Sequence, residues 1–366
     1  MLDVPAQNGP LLPAILEAME RVARHGQFIL GPEVSSFEAA LCERLRFPHA
    51  IGVSSGTDAI LVGLMALGVG AGDEVVTTPY SFFATAGCIS RLGARPVFAD
   101  IDPRTFNVDP AALESAITPR TRAILPVHLF GQPAEMEAIL AIAEARSLPI
   151  LEDAAQALGA STARGPVGTL GALGAFSFFP SKNLGGFGDG GLVTTTDPEL
   201  AERVRVLRAH GAKPKYHHAR IGGNFRLDAL QAAILAAKLP SLDGWAAQRR
   251  QNADRYDRRF AEAALEERLL TPLRRSEGHV YNQYVIRTDR RDALQAHLRA
   301  EGIATAIYYP VPLHLQGCYA ELGYREGSFP EAERAAQQSL ALPIFPELGD
   351  ARLDRIAETV IDFLRA

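Results

Sequence analysis

Residues 149–156 read PILEDAAQ and residues 176–191 read FSFFPSKNLGGFGDGG, and these two stretches decide the fold. Each opens with a short apolar run typical of a strand and continues into polar or glycine-rich residues. The first stretch places Asp153 directly after a predicted strand, where open α/β sheets bind their ligands. The aspartate is equally suited to cap a following helix, so its role stays open at this point.

Similar apolar runs alternate with helical patterns from about residue 50 to residue 195. Between the runs, residues 58–67, 110–117 and 134–145 carry apolar side chains three and four positions apart, the spacing of one buried helix face. This alternation predicts an α/β domain with a mixed, mostly parallel sheet flanked by helices. The predicted strands are EVVTTP, RPVFADI, AILPVHLFG, PILEDA, AFSFFP and GLVTTT.

A break at Leu239–Pro240 divides the chain. The 366 residues suit two domains at roughly 100–200 residues each. We therefore expect a large α/β domain at 1–240, with an N-terminal arm, and a smaller α+β domain at 241–366. The second domain begins with a long charged helix and has VYNQYVIR as a strand and helices at 291–300 and 351–365.

The composition excludes several classes of protein. The net charge of −5, with no basic block, argues against nucleic acid as a partner. Neither a signal peptide nor a membrane span is evident, so we expect a soluble, cytoplasmic protein. We expect no metal site, because the three cysteines are far apart and the His217–His218 pair has no third ligand at a suitable spacing.

Lys182 lies between an aromatic strand and a run of glycines, which suits a side chain held in a pocket with backbone walls. Most lysines are exposed, so a surface position is the simpler alternative. Gly186, Gly188 and Gly191 form a GxGxxG pattern, but that dinucleotide-binding fingerprint must open a helix. Here LVTTT follows and predicts a strand, so we reject a dinucleotide site.

Residues 54–58, SSGTD, precede a predicted helix. The free amides at the start of a helix and its dipole favour a phosphate, and the Thr57 hydroxyl would add a further donor. Serine and threonine are also common helix caps, so a purely structural role fits equally well.

The order of SSGTDA, TTPYSFFAT, EDAAQ and SFFPSKN within one α/β domain is specific. By these motifs the chain resembles the DegT/StrS-type sugar aminotransferases over essentially its whole length. Those proteins are fold-type I enzymes of the aspartate aminotransferase superfamily and depend on pyridoxal 5′-phosphate (PLP). RHGQFILGPEV, GGNFRLDALQAAIL and YYPVPLH extend the resemblance.

The resemblance implies roles for four residues around the cofactor ring. Lys182 matches the lysine that forms a Schiff base with the cofactor and then carries protons. Asp153 matches the carboxylate that pairs with the pyridine nitrogen and keeps it protonated. Gln156 matches the residue that hydrogen-bonds the phenolic oxygen, and Phe82 matches the aromatic side chain stacked on the ring.

The resemblance also implies a phosphate site built by two subunits. Ser55, Gly56 and Thr57 would hold the phosphate at the start of the helix, together with the Ser177 hydroxyl. Asn224 would complete the site from the neighbouring subunit, which predicts a homodimer with shared active sites.

Substrate contacts are expected from the basic loop after residue 210 and from the YYPVPLH stretch. Cations suit both a glutamate donor and a sugar diphosphate, although a solvated basic loop is the simpler alternative. The expected substrate-binding residues are Lys213, His217, His218, Arg226, Tyr308 and Tyr309.

The motifs resemble most closely the enzymes that act at carbon 3 of a nucleotide-linked keto-sugar. The uronic-acid enzymes of that group have a histidine where this chain has Tyr308, which favours a neutral sugar. We therefore expect amino transfer from L-glutamate, through the pyridoxamine form (PMP) of the cofactor. The expected acceptor is UDP-3-keto-N-acetylglucosamine, as in lipid A and lipopolysaccharide synthesis, or a dTDP-3-keto-6-deoxyhexose.

Four alternatives remain. A 3-keto hexuronate or a 4-keto sugar would keep the same chemistry. A non-catalytic regulator is the alternative from another class, and no DNA-binding motif supports it. A PLP-dependent sugar dehydratase would have a histidine in place of Lys182.

Overall fold

The computed structural model describes residues 2–366, in which helices and strands alternate through most of the chain. The strands are β1 (His49–Val53), β2 (Glu74–Thr77), β3 (Arg95–Phe98), β4 (Thr121–Leu125), β5 (Leu151–Asp153), β6 (Ser161–Thr162), β7 (Gly165–Pro166), β8 (Leu173–Ser177), β9 (Gly191–Thr195), β10 (Tyr284–Arg287) and β11 (Ser339–Leu342). The helices are α1 (Val4–Asn8), α2 (Leu12–His25), α3 (Pro32–Leu45), α4 (Gly56–Ala66), α5 (Ala84–Arg91), α6 (Pro110–Ala116), α7 (Met136–Ala145), α8 (Pro198–Leu207), α9 (Ala229–Lys238), α10 (Leu242–Glu262), α11 (Arg291–Ala300), α12 (Pro330–Gln338) and α13 (Asp350–Arg365).

Seven strands form a central sheet in the order β3-β2-β4-β5-β8-β9-β1. The first five run parallel, and parallel bridges from Ile124 to Ile150 and from Val127 to Asp153 join β4 to β5. β9 runs antiparallel to both β8 and β1. The predicted mixed, mostly parallel sheet is confirmed.

Helices cover both faces of this sheet. On one face α4, α5 and α8 pack their apolar side chains against strand residues such as Val53 and Val193. On the other face α2, α3 and α9 pack against Phe176 and Leu192. Two helical layers therefore enclose the C-terminal ends of β1, β5 and β8. This packing holds in place the residues that follow these strands.

Two local predictions need correction. β1 was not predicted, because HAIGV is short and contains a histidine and a glycine, and it becomes a strand by pairing with β9. No helix begins after β5, since residues 154–160 form turns. Asp153 is thus not a helix cap, and Gln156 lies on a turn rather than on a helix.

The C-terminal part has its own core. α10, α11 and α13 pack around the antiparallel pair β10–β11, and the predicted break before α10 is a short 3-10 turn at Leu239–Ser241. We propose the domain boundary at residues 240 and 241. Leu2 of the N-terminal arm packs on this C-terminal core. Within residues 2–366, every helix is too short or too polar to cross a membrane.

Candidate active site

Among the four lysines of the chain, Lys182 is half-buried and its amine lies close enough to Asp153 for their charges to interact. Burial lowers the pKa of Lys182 to about 8, and the Asp153 carboxylate opposes that fall. Two other lysines are exposed on the loop after α8. The fourth, Lys238, is buried, but its amine donates to the Gly185 carbonyl. Lys182 therefore combines burial, a free amine and a nearby carboxylate.

The loop after β8 holds Lys182 in place. The Lys182 amide donates to the Phe179 carbonyl at 2.8 Å, which closes a tight turn. The next residue, Asn183, donates to the Val280 carbonyl at 3.2 Å and accepts from the Asn282 amide group at 2.7 Å. Segments from both halves of the chain thus fix the position of this lysine.

Asp153 is almost completely buried at the end of β5. Burial raises the pKa of this carboxyl, and four neighbours oppose the rise. The Thr85 hydroxyl donates to Oδ2 at 2.8 Å, and the Ala155 amide donates to Oδ1 at 3.2 Å. The ammonium charge of Lys182 and the nearby His128 imidazole act in the same direction. The result is a desolvated carboxylate with acceptor capacity left for a further donor.

Gln156 joins two distant parts of the chain. Its Oε1 accepts the Phe130 amide at 2.7 Å, and its Nε2 donates to the Tyr309 hydroxyl at 3.1 Å. The Tyr309 ring lies 6.4 Å from the ring of Phe82, which is 58% exposed. The structure therefore brings together Gln156, Phe82 and Tyr309, as the sequence predicted for one site.

Tyr308 and Tyr309 are held by the buried Tyr80. The Tyr80 hydroxyl donates to the Tyr308 carbonyl and accepts the Tyr309 amide at 3.1 Å, and it lies 2.7 Å from the Ser339 Oγ. Burial raises the pKa of Tyr80 to about 12, so this hydroxyl keeps its proton. The Tyr308 side chain is half-buried and reaches the edge of the same cluster.

The start of α4 lies against the end of β8. Ser55 caps the helix by accepting the Asp58 amide at 3.0 Å. Within residues 2–366, the Gly56 and Thr57 amides have no acceptor. A Cβ on Gly56 would lie 2.6 Å from the Ser177 Cβ, so only glycine lets Ser177 approach this closely. Two free amides and a nearby hydroxyl thus form one polar cup.

Within a single chain, the basic loop after residue 210 lies apart from the candidate site residues. Residues 213–221 are exposed, the Lys213 amine pairs with Glu202, and the His218 Nδ1 lies 2.9 Å from the His210 carbonyl. His217 is exposed as well. The predicted substrate contacts of Lys213, His217 and His218 are therefore not formed within one chain.

Asn224 and Arg226 lie beside β1 rather than far from it. The Phe225 carbonyl accepts the Ser54 amide at 3.0 Å, and Arg226 bridges to Val53. The Asn224 side chain is exposed, whereas the Arg226 Nε is buried and has no partner within residues 2–366. Their long separation from SSGTD in the sequence gave no sign of this proximity.

Sequence reasoning missed two supporting residues. Thr85 lies three positions after Phe82 on the first turn of α5 and bonds Asp153. Glu152, next to Asp153, is fully buried and accepts from His128 at 3.0 Å. An acidic pair at the end of a buried strand was the available signal for Glu152, whereas nothing in the sequence singled out Thr85.

The residues fit PLP by the chemistry of their donors and acceptors. A free amine suits the cofactor aldehyde, a buried carboxylate suits the ring nitrogen, and helix-start amides suit the phosphate. The aromatic face of Phe82 is open to accept a flat ring.

Comparison with known proteins agrees with this geometry. The profile of the DegT/DnrJ/EryC1/StrS aminotransferase family matches residues 12–361. The chain is 52% identical over 367 residues to a protein named "Pleiotropic regulatory protein" from Geobacillus stearothermophilus, covering 100% of this chain and 98% of the relative.

Two further relatives are named as enzymes. The UDP-2-acetamido-2-deoxy-3-oxo-D-glucuronate aminotransferase of Pseudomonas aeruginosa is 44% identical, with 96% of each chain covered. The UDP-N-acetyl-3-dehydro-alpha-D-glucosamine 3-aminotransferase of Acidithiobacillus ferrooxidans is 43% identical, covering 98% of this chain and 96% of the relative.

A solved structure shows the same fold. The crystal structure of DesV from S. venezuelae in complex with a ketimine intermediate superimposes with a TM-score of 0.96 at 42% identity. The superposition covers 100% of this chain and 98% of that one. From the profile match, the relatives and this structure, the chain belongs to the DegT/DnrJ/EryC1/StrS aminotransferase family and is a PLP-dependent aminotransferase.

Proposed function

We propose that the protein transfers an amino group from L-glutamate to carbon 3 of a nucleotide-linked 3-keto sugar. The observation that carries this proposal is the free amine of the half-buried Lys182 beside the buried carboxylate of Asp153. Two opposite charges without further ionic partners are costly to bury unless the site uses them. Relatives named for amino transfer to 3-oxo and 3-dehydro sugars support carbon 3.

Each part of the site would hold one part of the cofactor. Lys182 would bond it covalently, Asp153 would accept the ring N–H, and Gln156 would bind its phenolic oxygen. The polar cup of Gly56, Thr57 and Ser177 would bind the phosphate. PLP, when bound, supplies an electron sink for the carbon that loses its proton.

Lys182 would also move the proton. A pKa of about 8 leaves a sizeable fraction of neutral amine near neutral pH, and a neutral Nζ accepts a proton from the α-carbon of the amino donor. The protonated Nζ then returns that proton within the same site.

The sugar is proposed to be neutral. Tyr308 is half-buried next to Tyr309, and burial raises the pKa of its phenol, so it offers a neutral hydroxyl rather than a cation. A hexuronate carboxylate would need a charged partner there. We therefore favour UDP-3-keto-N-acetylglucosamine or a dTDP-3-keto-6-deoxyhexose over the 3-keto hexuronate or a 4-keto sugar.

A homodimer with shared active sites would give a role to the exposed basic loop at residues 213–221, called the hairpin below. The hairpin carries Lys213, His217 and His218 together with two strongly exposed apolar side chains, Tyr216 at 79% and Ile221 at 91%. Exposed apolar residues next to cations are typical of an interface that meets an anionic ligand. Asn224 follows this hairpin and would enter the partner's phosphate site.

A regulatory function is the second candidate, because one relative of high identity is named as a regulatory protein. A regulator without catalysis would not require a lysine with a free amine beside a buried carboxylate. The geometry therefore favours the enzyme.

Borohydride reduction of the purified protein should fix the cofactor on Lys182, as peptide mass mapping would show. Lys182→Ala should lose both the fixed cofactor and the visible absorbance of lysine-bound PLP. Lys238→Met is the matched control, because Lys238 is also buried and its pKa is also lowered to about 8. Label found on Lys238 or on a hairpin lysine would refute the assignment.

Subunit exchange between a Lys182→Ala protein and an Asn224→Ala protein should restore activity if Asn224 acts in the partner's site. Each heterodimer then has one site with both residues intact. Native mass spectrometry checks that exchange has occurred. Exchanged mixtures that stay inactive would show that Asn224 serves its own chain, next to Ser54.

A panel of enzymatically generated 3-keto and 4-keto nucleotide sugars with glutamate, read by mass spectrometry, tests the substrate. We expect amination of neutral 3-keto sugars, abolished by Lys182→Ala. Tyr308→His should increase the use of 3-keto hexuronate, because an imidazolium can pair with its carboxylate. Amination confined to 4-keto sugars would contradict the proposal.

A further inference from the structure

A buried chain of two hydroxyls ends on Asp153. Ser81 precedes α5, and Thr85 lies on its first turn. The Ser81 and Thr85 hydroxyl oxygens are 2.9 Å apart, and the Thr85 Oγ1 is 2.8 Å from the Asp153 Oδ2. Thr85 is 0% exposed and Ser81 is 3% exposed, so water does not replace either contact.

The chemistry of the three groups fixes the direction of this chain. An ionised carboxylate only accepts, and a threonine hydroxyl has one hydrogen to give. Thr85 therefore donates to Asp153, which leaves its oxygen to accept from Ser81. Both hydroxyl dipoles then point their positive ends toward the carboxylate, and hydrogen bonds in such a chain strengthen one another.

Apart from Thr85, four charged or titratable side chains lie around Asp153. Lys182, His128, Cys88 and Tyr309 face it from four different segments. The His128 Nδ1 accepts the Ala134 amide at 2.9 Å, so its proton is on Nε2 and the ring is neutral. Cys88 and Tyr309 are buried and their pKa values are raised, so both keep their protons and stay neutral.

Lys182 is thus the one cation near Asp153 within residues 2–366, and its charge changes during the proposed proton transfer. The Thr85 hydroxyl donates in the same way whether Lys182 is protonated or neutral. A carboxylate that must stay ionised through the whole cycle needs such a constant donor, because burial alone favours its neutral form.

We propose that Thr85, oriented by Ser81, is a positioning residue that keeps Asp153 ionised and in one orientation toward the cofactor ring nitrogen. This inference rests on the proposed function of Asp153. Thr85 does not touch the cofactor in this account and acts through the carboxylate.

Thr85→Val removes the hydroxyl and keeps the shape of the side chain. We expect kcat to fall about tenfold while KM changes little, because the lost hydrogen bond supports a charge needed after substrate binding. Thr85→Ser should restore most of kcat. Thr77→Val is the matched control, because Thr77 is equally buried but donates to the Leu125 carbonyl at 2.7 Å.

A second measurement is independent of activity. In the cofactor-free full-length chain, Thr85→Val should further raise the pKa of Asp153. Because a carboxyl with a raised folded-state pKa loses stability as pH rises through that pKa, the fall in Tm caused by Thr85→Val should be larger above the Asp153 pKa than below it. Thr77→Val should lower Tm equally in both pH ranges.

The outcomes separate this inference from the proposed function. If Thr85→Val matches Thr77→Val in kcat and in the pH dependence of Tm, the inference is overturned. If the pH dependence appears but neither Thr85→Val nor Asp153→Asn alters kcat or cofactor affinity, Asp153 is outside the site and the proposed function fails with the positioning role.

Discussion

Two neighbouring carboxylates at the end of β5, buried but bonded very differently, are the constraint on which the rest of the site depends. Glu152 accepts four donors: the His128 ring, and the amides of Gly168, Leu170 and Gly171, each amide at 2.8 Å. All its lone pairs are used, so it ties the loop before β8 to the strand. Asp153 accepts only two hydrogen bonds and keeps capacity for a ligand. Because side chains alternate along a strand, the two carboxylates point to opposite sides of the sheet. One stabilises the fold and the other is left for chemistry.

The same sheet explains why residues far apart in sequence meet at one place. Ser177 ends β8, Asp153 ends β5, and SSGT follows β1, so three strand ends supply the lysine loop, the carboxylate and the polar cup. The loop carrying Lys182 is fixed from several sides. Lys238 bonds the Gly185 carbonyl, and Gln231 accepts the Phe187 amide at 2.9 Å. These contacts hold in place the backbone that carries Lys182.

Sequence patterns predicted the alternating fold, the strands that carry Asp153 and Ser177, and the candidate lysine, because these depend on local periodicity and short motifs. The contacts that build the site depend on tertiary structure. Gln156 and Tyr309 are 153 positions apart. Thr85 looks like any threonine in TTPYSFFAT until α5 packs against β5. β1 was missed because its strand character comes from pairing with β9 rather than from its own residues. An aspartate after a strand is also typical of a helix start, so the sequence did not distinguish the turn after Asp153 from a helix.

We propose that Asp153 stays ionised beside Lys182 and holds a proton on the cofactor ring nitrogen. The most direct measurement is the nitrogen NMR shift of the protein loaded with PLP that is ¹⁵N-labelled in its ring. With Asp153 ionised, we expect a protonated ring nitrogen near neutral pH in the wild-type protein and an unprotonated one in Asp153→Asn. An unprotonated nitrogen in the wild-type protein, or a protonated one in both proteins, would contradict it.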